Sequence, residues 1–157
     1  MSRGRQKIIE RIESGGLFAV VFACANVERL PISVMAAEET SVLFIDCKRI
    51  INACSPGCAF HARVIKNLTV LLAEKSNALL EKMEHVTQPT TREKLLSYLS
   101  KEAQLAGKSK FVIPFNREEL AHYLSVERSG ISTELSKMQD DGLIRYQKNQ
   151  FELLVPW

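Results

Sequence analysis

The strongest constraint on the fold lies in residues 116–142, where two short amphipathic helices are predicted with only a short turn between them. Asn116 is a favourable N-cap residue, and Glu119 stands three positions later, which completes a capping box. The first helix is therefore predicted over about residues 117–124, and the second over residues 127–140. Helices joined so closely must cross and pack directly against each other.

The residue types in this segment fit the packing of a helix-turn-helix. Ala121 allows close helix crossing, Val126 fills the turn, and Ile131 begins the apolar stripe that holds the second helix against the first. The opposite face of the second helix carries one arginine and four hydroxyl side chains: Arg128, Ser129, Ser132, Thr133 and Ser136. Such a face suits a DNA major groove about 12 Å wide. We assign these five residues to a predicted DNA interface.

A solvated surface is the alternative interpretation of these hydroxyls, and for a lone amphipathic helix it is the favoured one. The capped helix and the turn before them favour DNA recognition instead. After Gly142, apolar residues flank positions 147–150 on both sides, which predicts a β-hairpin wing. Lys148 on this wing and Asn116 at the start of the first helix complete the predicted interface. Lys148 and Arg145 also fit as ordinary surface charges.

A domain boundary is predicted just before this unit. Pro89 ends the preceding helix, and Thr90 with Glu93 has the spacing of a capping box that begins a new one. A short strand follows at Phe111–Ile113 and ends at Pro114. We therefore predict a winged helix-turn-helix domain over residues 89–157.

Residues 60–86 read as one long helix without an internal Gly or Pro. Apolar residues recur along it at heptad-like spacing and are assigned to a dimerisation seam: Ile65, Leu68, Leu72, Leu79 and Val86. Lys75 and Lys82 interrupt the seam. A helix that packs only on its own chain stays the alternative to the dimerisation helix that we predict for residues 59–88.

Four apolar stretches separated by turn-like residues are predicted as strands of a small antiparallel domain in residues 1–58: Lys7–Ile12, Leu17–Ala23, Pro31–Ala36 and Ser41–Asp46. Four strands are too few to cover both faces of a roll or sandwich. We expect a partial β-roll, with the rest of that domain missing from the chain, and an α+β fold class overall.

The composition excludes some classes of protein but does not identify a function. The net charge of +3 is distributed evenly along the chain and does not itself indicate nucleic-acid binding. A prediction of nucleic-acid binding therefore depends on the pattern of residues. The longest apolar run, Leu17–Ala25, is much shorter than the roughly 20 residues that span a bilayer, and no secretory signal is evident. We expect a cytoplasmic protein that does not contact membranes, and four cysteines that are thiols.

The stretches TTREKLLSYL, PFNREELAHYLSV and ERSGISTELSKMQDDGLI resemble the cyclic-AMP receptor protein and fumarate-nitrate regulator (Crp-Fnr) family of bacterial transcription factors. The resemblance is close from about Leu68 onward and weaker before it. It implies a homodimer that binds an inverted-repeat operator in double-stranded DNA and regulates transcription through RNA polymerase. It also implies that the partial β-roll is of the cyclic-nucleotide-binding type and that this chain is an N-terminally shortened member.

Several residues depart from the family pattern. Ser129 stands where Glu is frequent and Thr133 where Arg is frequent, while Arg128 matches some members, so base readout should differ. Ser125 replaces the usual turn glycine. The stretches at residues 15–20 and 30–33 lack the Glu and the Arg that hold ribose and phosphate in nucleotide-binding members. We therefore expect that cyclic AMP does not bind and leave the effector unknown, although Arg29 nearby leaves another anion open.

The sequence patterns for a metal site or an enzyme are weaker than the pattern for a DNA-binding domain. Cys54, Cys58 and His61, with Cys47, could ligate a metal or an iron-sulfur cluster, but we favour ordinary packing and predict no metal site. No catalytic motif is present, so we predict no enzymatic activity. The interpretation adopted is a DNA-binding transcription regulator. Its alternative is a ligand- or metal-sensing protein-interaction module that does not bind DNA.

Overall fold

The computed structural model describes residues 8–51 and 58–155 of the 157-residue chain. Its elements, in chain order, are α1 (Val20–Cys24), α2 (Cys47–Ile51), α3 (Ala59–Val86), α4 (Thr91–Ala106), β1 (Lys110–Val112), α5 (Arg117–Leu124), α6 (Arg128–Asp140), β2 (Ile144–Gln147) and β3 (Gln150–Leu153). Helices and one small antiparallel sheet confirm the α+β class.

The chain divides into two compact units, and the division falls within α3 between Ala78 and Leu79. One unit holds the described part of residues 12–78. The other holds residues 79–155 together with residues 8–11, which Arg11 attaches through a 2.9 Å hydrogen bond to the Pro114 carbonyl oxygen. The domain bounds predicted from the sequence stay predictions.

The strand predictions for the N-terminal part are wrong wherever the structure describes it, because residues 8–51 contain no strand. A strand persists only when its backbone bonds to a neighbour, and alternating apolar residues do not by themselves provide one. Met35, Leu43 and Phe44 accordingly remain 83%, 82% and 89% exposed instead of covering a sheet face. The apolar run that we read as the second strand forms α1 instead. Residues 1–7 and 52–57 of the predicted β-roll lie outside the described residues.

The long helix predicted over residues 60–86 is confirmed as α3, which has 28 residues and is about 42 Å long at 1.5 Å per residue. Its heptad residues are partly accessible: Ile65 and Leu79 are exposed, and Leu68, Leu72 and Val86 are half-buried. Among the described helices, none is long and apolar enough to cross a membrane.

The last turns of α3 pack onto α4 within the C-terminal unit. His85 is buried, and its Nδ1 lies 2.7 Å from the Ser97 hydroxyl oxygen. One turn earlier, Glu81 forms a 2.7 Å ion pair with Lys101. The two helices on either side of Pro89, α3 and α4, are therefore joined by two polar contacts. One involves the buried His85, and the other is the ion pair of Glu81 with Lys101.

The core of the C-terminal unit is formed by α4, α5, α6 and the sheet. Thr90 and Glu93 make the predicted capping box, and Gly107 ends α4 in the left-handed conformation. The sheet has the order β1-β3-β2 and is antiparallel throughout. Its core side chains are apolar and buried: Leu95, Leu99, Phe111, Ile113, Leu120, Leu124, Ile131, Leu135, Met138, Ile144, Phe151 and Leu153.

The helix-turn-helix prediction is confirmed in its elements, since α5 and α6 begin and end within one residue of the predicted bounds. Asn116 and Glu119 form the capping box. Ser125 ends α5 with φ 57° and ψ 44°, a left-handed conformation that glycine adopts more easily. The turn therefore places a residue with a Cβ in the left-handed region, which carries a steric penalty.

Burial of His85 generates a prediction about acid stability. Desolvation lowers the pKa of His85, against the opposing effect of Glu84 and Glu81, while Lys101 lowers it further. The folded state thus binds fewer protons than the unfolded state below about pH 6.5, so stability should fall as the pH drops through that value toward the lowered pKa. Chemical unfolding at pH 7 and pH 5 measures the loss.

A His85→Gln variant should show a smaller difference in the free energy of unfolding between the two pH values, whatever its stability at pH 7. The matched control, His122→Gln, removes a histidine from α5 and should keep the wild-type difference. An unchanged pH dependence in His85→Gln would contradict the assignment.

The left-handed turn residue yields a second prediction. Ser125→Gly should raise the free energy of unfolding by about 1 kcal/mol, because glycine adopts positive φ without the Cβ penalty. Ser132→Gly, placed within α6, should instead destabilise by roughly 0.5–1 kcal/mol. Denaturant titration checks both, and a loss of stability in Ser125→Gly would contradict the strain argument.

Candidate nucleic-acid interface

The orientation of α6 matches the sequence prediction. Ile131, Leu135 and Met138 are fully buried against the rest of the C-terminal unit. The opposite side of the helix is exposed along its length and presents the five predicted residues: Arg128, Ser129, Ser132, Thr133 and Ser136. The structure therefore brings these five together on one accessible surface, which we call the α6 face.

The two ends of the α6 face differ in their hydrogen bonds. At the N-terminal end, Glu127 occupies the N-cap position and its side chain makes no capping hydrogen bond. Backbone amides at such a helix start favour phosphate oxygens. Farther along, the Ser136 hydroxyl donates to the Ser132 carbonyl oxygen at 3.1 Å and lies 3.4 Å from the Tyr146 hydroxyl of the hairpin. The face therefore ends beside the wing.

Asn116 is exposed but serves as a cap. Its side-chain oxygen accepts hydrogen bonds from the backbone N–H groups of Glu118 and Glu119 at 2.9 and 3.0 Å. The Glu119 carboxylate accepts in turn from the Asn116 backbone N–H at 2.8 Å. The structure thus gives Asn116 a role in starting α5, and its place in a DNA interface stays a prediction.

The wing is the β2–β3 hairpin, and Lys148 lies exposed at its turn with φ 53°. Asn149 fixes the turn to the strand region, since its side chain donates to the Ile113 carbonyl oxygen at 3.3 Å and its own carbonyl oxygen accepts from the Ile113 N–H at 3.0 Å. Lys148 is therefore presented from a turn whose position is set by backbone contacts.

Arg117 packs against the same hairpin. The sequence pattern did not predict this contact. The Arg117 guanidinium lies 5.0 and 5.1 Å from the ring centroids of Tyr146 and Phe151 and donates a hydrogen bond to the Lys148 carbonyl oxygen. Burial lowers the pKa of Arg117. The local sequence shows only an arginine after an N-cap, so the contact follows from the register of the hairpin, which local sequence does not reveal.

Arg145 is less available than Lys148. It pairs in register with Glu152 on β3, and its guanidinium lies 3.9 Å from the Glu152 carboxylate. Lys110 on β1 approaches the same carboxylate at 3.5 Å. Arg145 therefore belongs to a cross-strand group of charges on the sheet, whereas Lys148 stands at the hairpin tip.

Three of the four candidate metal ligands, Cys47, Cys58 and His61, lie within the described residues. Across residues 8–51 and 58–155, no group of three or more His, Cys, Asp or Glu side chains is placed to hold a metal ion. Cys54 lies outside the described residues. Burial and the neighbouring Cys24 thiol, which is hydrogen-bonded to it, raise the pKa of Cys47. Cys47 thus contacts another thiol, which sequence spacing did not suggest.

The chain is similar to known proteins over part of its length. The model of the Crp-like helix-turn-helix domain matches residues 93–156. The structure of FixK2 from Bradyrhizobium japonicum aligns with a TM-score of 0.55 and 16% identity, over 71% of this chain and 55% of that chain. A transcriptional regulator of the Crp/Fnr family from Eubacterium rectale aligns with a TM-score of 0.44 and 20% identity, over 63% of this chain and 44% of that chain. No curated protein gave a significant match.

The family match lies within the C-terminal unit. The chain spans about half the length of FixK2, and at 16% identity that likeness shows a shared fold. The family match begins in the first turn of α4 and runs through α5, α6 and the wing, which are the elements that build the α6 face. Residues 93–156 are therefore a Crp-like helix-turn-helix domain, and the chain shares its fold with FixK2 over the aligned part.

Proposed function

We propose that this chain regulates transcription as a homodimer that reads an inverted-repeat operator in double-stranded DNA with α6. The observation that carries the proposal is the α6 face, which is exposed opposite a fully buried apolar stripe within a Crp-like helix-turn-helix domain. Regulation through contacts with RNA polymerase, in the cytoplasm, belongs to the same proposal and rests on the family resemblance. No enzymatic step is invoked.

The chemistry of the α6 face supports direct base readout led by a single residue. Arg128 stands in the first turn of α6 and is exposed. A guanidinium can donate two parallel hydrogen bonds to guanine O6 and N7, which discriminates against a wrong base by about 1–3 kcal/mol. Ser129, Ser132 and Thr133 are short enough to let the helix approach the base edges closely, and their hydroxyls both donate and accept.

Dimerisation is proposed through α3. Its heptad residues are incompletely covered in the single chain, with Leu79 49% exposed and Ile65 38% exposed. A second copy of the helix would bury them. Two α6 helices related by the dimer axis would then enter successive major grooves about 34 Å apart, which is the geometry that an inverted repeat requires.

We propose that the signal that controls the regulator is not cyclic AMP. Residues 15–20 and 30–33 carry neither the carboxylate nor the arginine of the nucleotide-binding family members. A cyclic phosphate buried without a cation would cost several kcal/mol. Arg29 is exposed in the same unit and is the residue nearest in sequence that another anion could use.

The base-contact role of Arg128 is tested after operators are selected from random oligonucleotides. Arg128→Ala should lower affinity for the selected site by about 1–3 kcal/mol per half-site and relax the preference at one base pair. Lys108→Ala removes one positive charge from the exposed turn after α4 and serves as the control. Binding is measured at several salt concentrations.

Wild-type affinity should weaken steeply with salt, because each neutralised phosphate releases counterions. Binding without sequence preference and without salt dependence would contradict the proposal and favour the protein-interaction alternative. If the Arg128 and Lys108 variants lower the affinity equally, the base-contact role of Arg128 is contradicted, whereas DNA binding by the protein is not.

One substitution in the wing separates the effect of charge on DNA affinity from the effect of backbone strain on the free energy of unfolding. Lys148→Gly should stabilise the fold by about 1 kcal/mol, because Lys148 has positive φ, yet weaken binding to all DNA sequences alike. The magnitude of the slope of log affinity against log salt should fall by about 1 per half-site. Unfolding and binding titrations on the same samples check the opposite signs, and unchanged DNA affinity would show that Lys148 is only a surface charge.

A further inference from the structure

Arg92, in the first turn of α4, joins that helix to α6. Its Nε donates to the Glu134 carboxylate at 2.6 Å, and its NH1 group donates to the Asp141 carboxylate at 2.7 Å. Glu134 lies in the middle of α6, and Asp141 is the residue that ends it. One guanidinium therefore holds two points that are almost two helical turns apart.

We propose that Arg92 is a positioning residue for DNA recognition, which fixes the orientation of α6 and neutralises carboxylates beside the α6 face. This proposal rests on the function proposed above. Arg92 itself need not touch DNA, because the proposed role is exerted through its Nε and NH1 contacts with α6. Its effect reaches the operator through the placement of Arg128 and the hydroxyl residues.

The first step of the argument concerns orientation. α4 and α6 also share the buried apolar core, to which α4 contributes Leu95 and Leu99 and α6 contributes Leu135. Apolar contacts resist separation but depend weakly on direction, whereas charge-assisted hydrogen bonds have defined lengths and angles. Two such bonds from one planar group therefore restrict both rotation of α6 about its axis and sliding along it.

The second step concerns charge. Residues 127–141 contain four carboxylates and two cationic side chains, an unfavourable balance for a helix that approaches phosphates. Glu134 directly follows Thr133 of the α6 face, and its side chain is only 18% exposed. Removing Arg92 would leave this carboxylate partly desolvated and close to the bound DNA. Pairing with Arg92 offsets that repulsion.

The third step is that the pair is stable across the pH range of a binding assay. Hydrogen bonds to Glu134 and then Asp141 raise the pKa of Arg92, which stays protonated. The guanidinium therefore keeps its positive charge throughout the pH range of a binding assay.

The decisive measurement is the specificity ratio, defined as affinity for the selected operator divided by affinity for an unrelated duplex. Arg92→Gln should lower this ratio about three- to tenfold, because a displaced α6 loses base contacts more than phosphate contacts. The matched control is Lys101→Gln, which breaks the 2.7 Å ion pair with Glu81 in the same unit without touching α6. It should leave the ratio unchanged. Unfolding titrations compare the stability of both variants.

A second variant keeps the test valid where Arg92→Gln folds poorly. Glu134→Gln removes one partner and leaves the Asp141 bond, so it should lower the ratio in the same direction but less. The double variant Arg92→Gln/Glu134→Gln should be no worse than Arg92→Gln alone, because the two residues act through one contact.

The outcomes separate the two proposals. A wild-type protein that selects no sequence overturns both the proposed function and the role of Arg92. A wild-type protein that selects an operator, with Arg92→Gln behaving as Lys101→Gln does, overturns only the role of Arg92. Equal losses of affinity for operator and unrelated DNA also overturn it, since they indicate a phosphate contact.

Discussion

The burial of one side of α6 is the interaction on which the rest of the molecule depends. Ile131, Leu135 and Met138 are fully buried, and a side chain of this kind contributes about 1.5–3 kcal/mol when removed from water. Because the stripe follows the helical period, burying it determines which residues point outward. The α6 face is thus a consequence of core packing, and its polar residues are free to vary without loss of the fold.

Local interactions explain which parts of the structure could be predicted. The capping boxes at Thr90 and Asn116 each depend on residues three positions apart, so the sequence alone locates α4 and α5. The contacts of Arg117 with Lys148 and of Arg92 with Glu134 join residues 31 and 42 positions apart, and no local pattern announces them. The strands predicted in residues 8–51 failed for a related reason, since strand pairing also depends on distant partners.

The polar contacts around Pro89 bear on how a signal could reach the DNA-binding unit. His85 bonds to Ser97, and Glu81 pairs with Lys101, so the end of α3 is attached to α4 on both sides of the break. Arg92 then attaches α4 to α6. Motion at the break would have to disrupt a buried histidine contact, whereas α3 residues before Leu79 belong to the other unit. Within the C-terminal unit, polar contacts therefore join the last turns of α3 to α4 and α4 to α6.

The scarcity of cations on α6 also supports the proposal that recognition uses a dimer. Regulators distinguish their sites from other DNA by about 4–10 kcal/mol, whereas one bidentate arginine supplies about 1–3 kcal/mol. Arg128 is the one arginine of the α6 face, so a single domain falls below this range. Two copies on an inverted repeat double the direct readout and bring it to the lower end. The hydroxyl contacts, the shape of the DNA and the orientation imposed by Arg92 then decide how much of the remaining discrimination is reached.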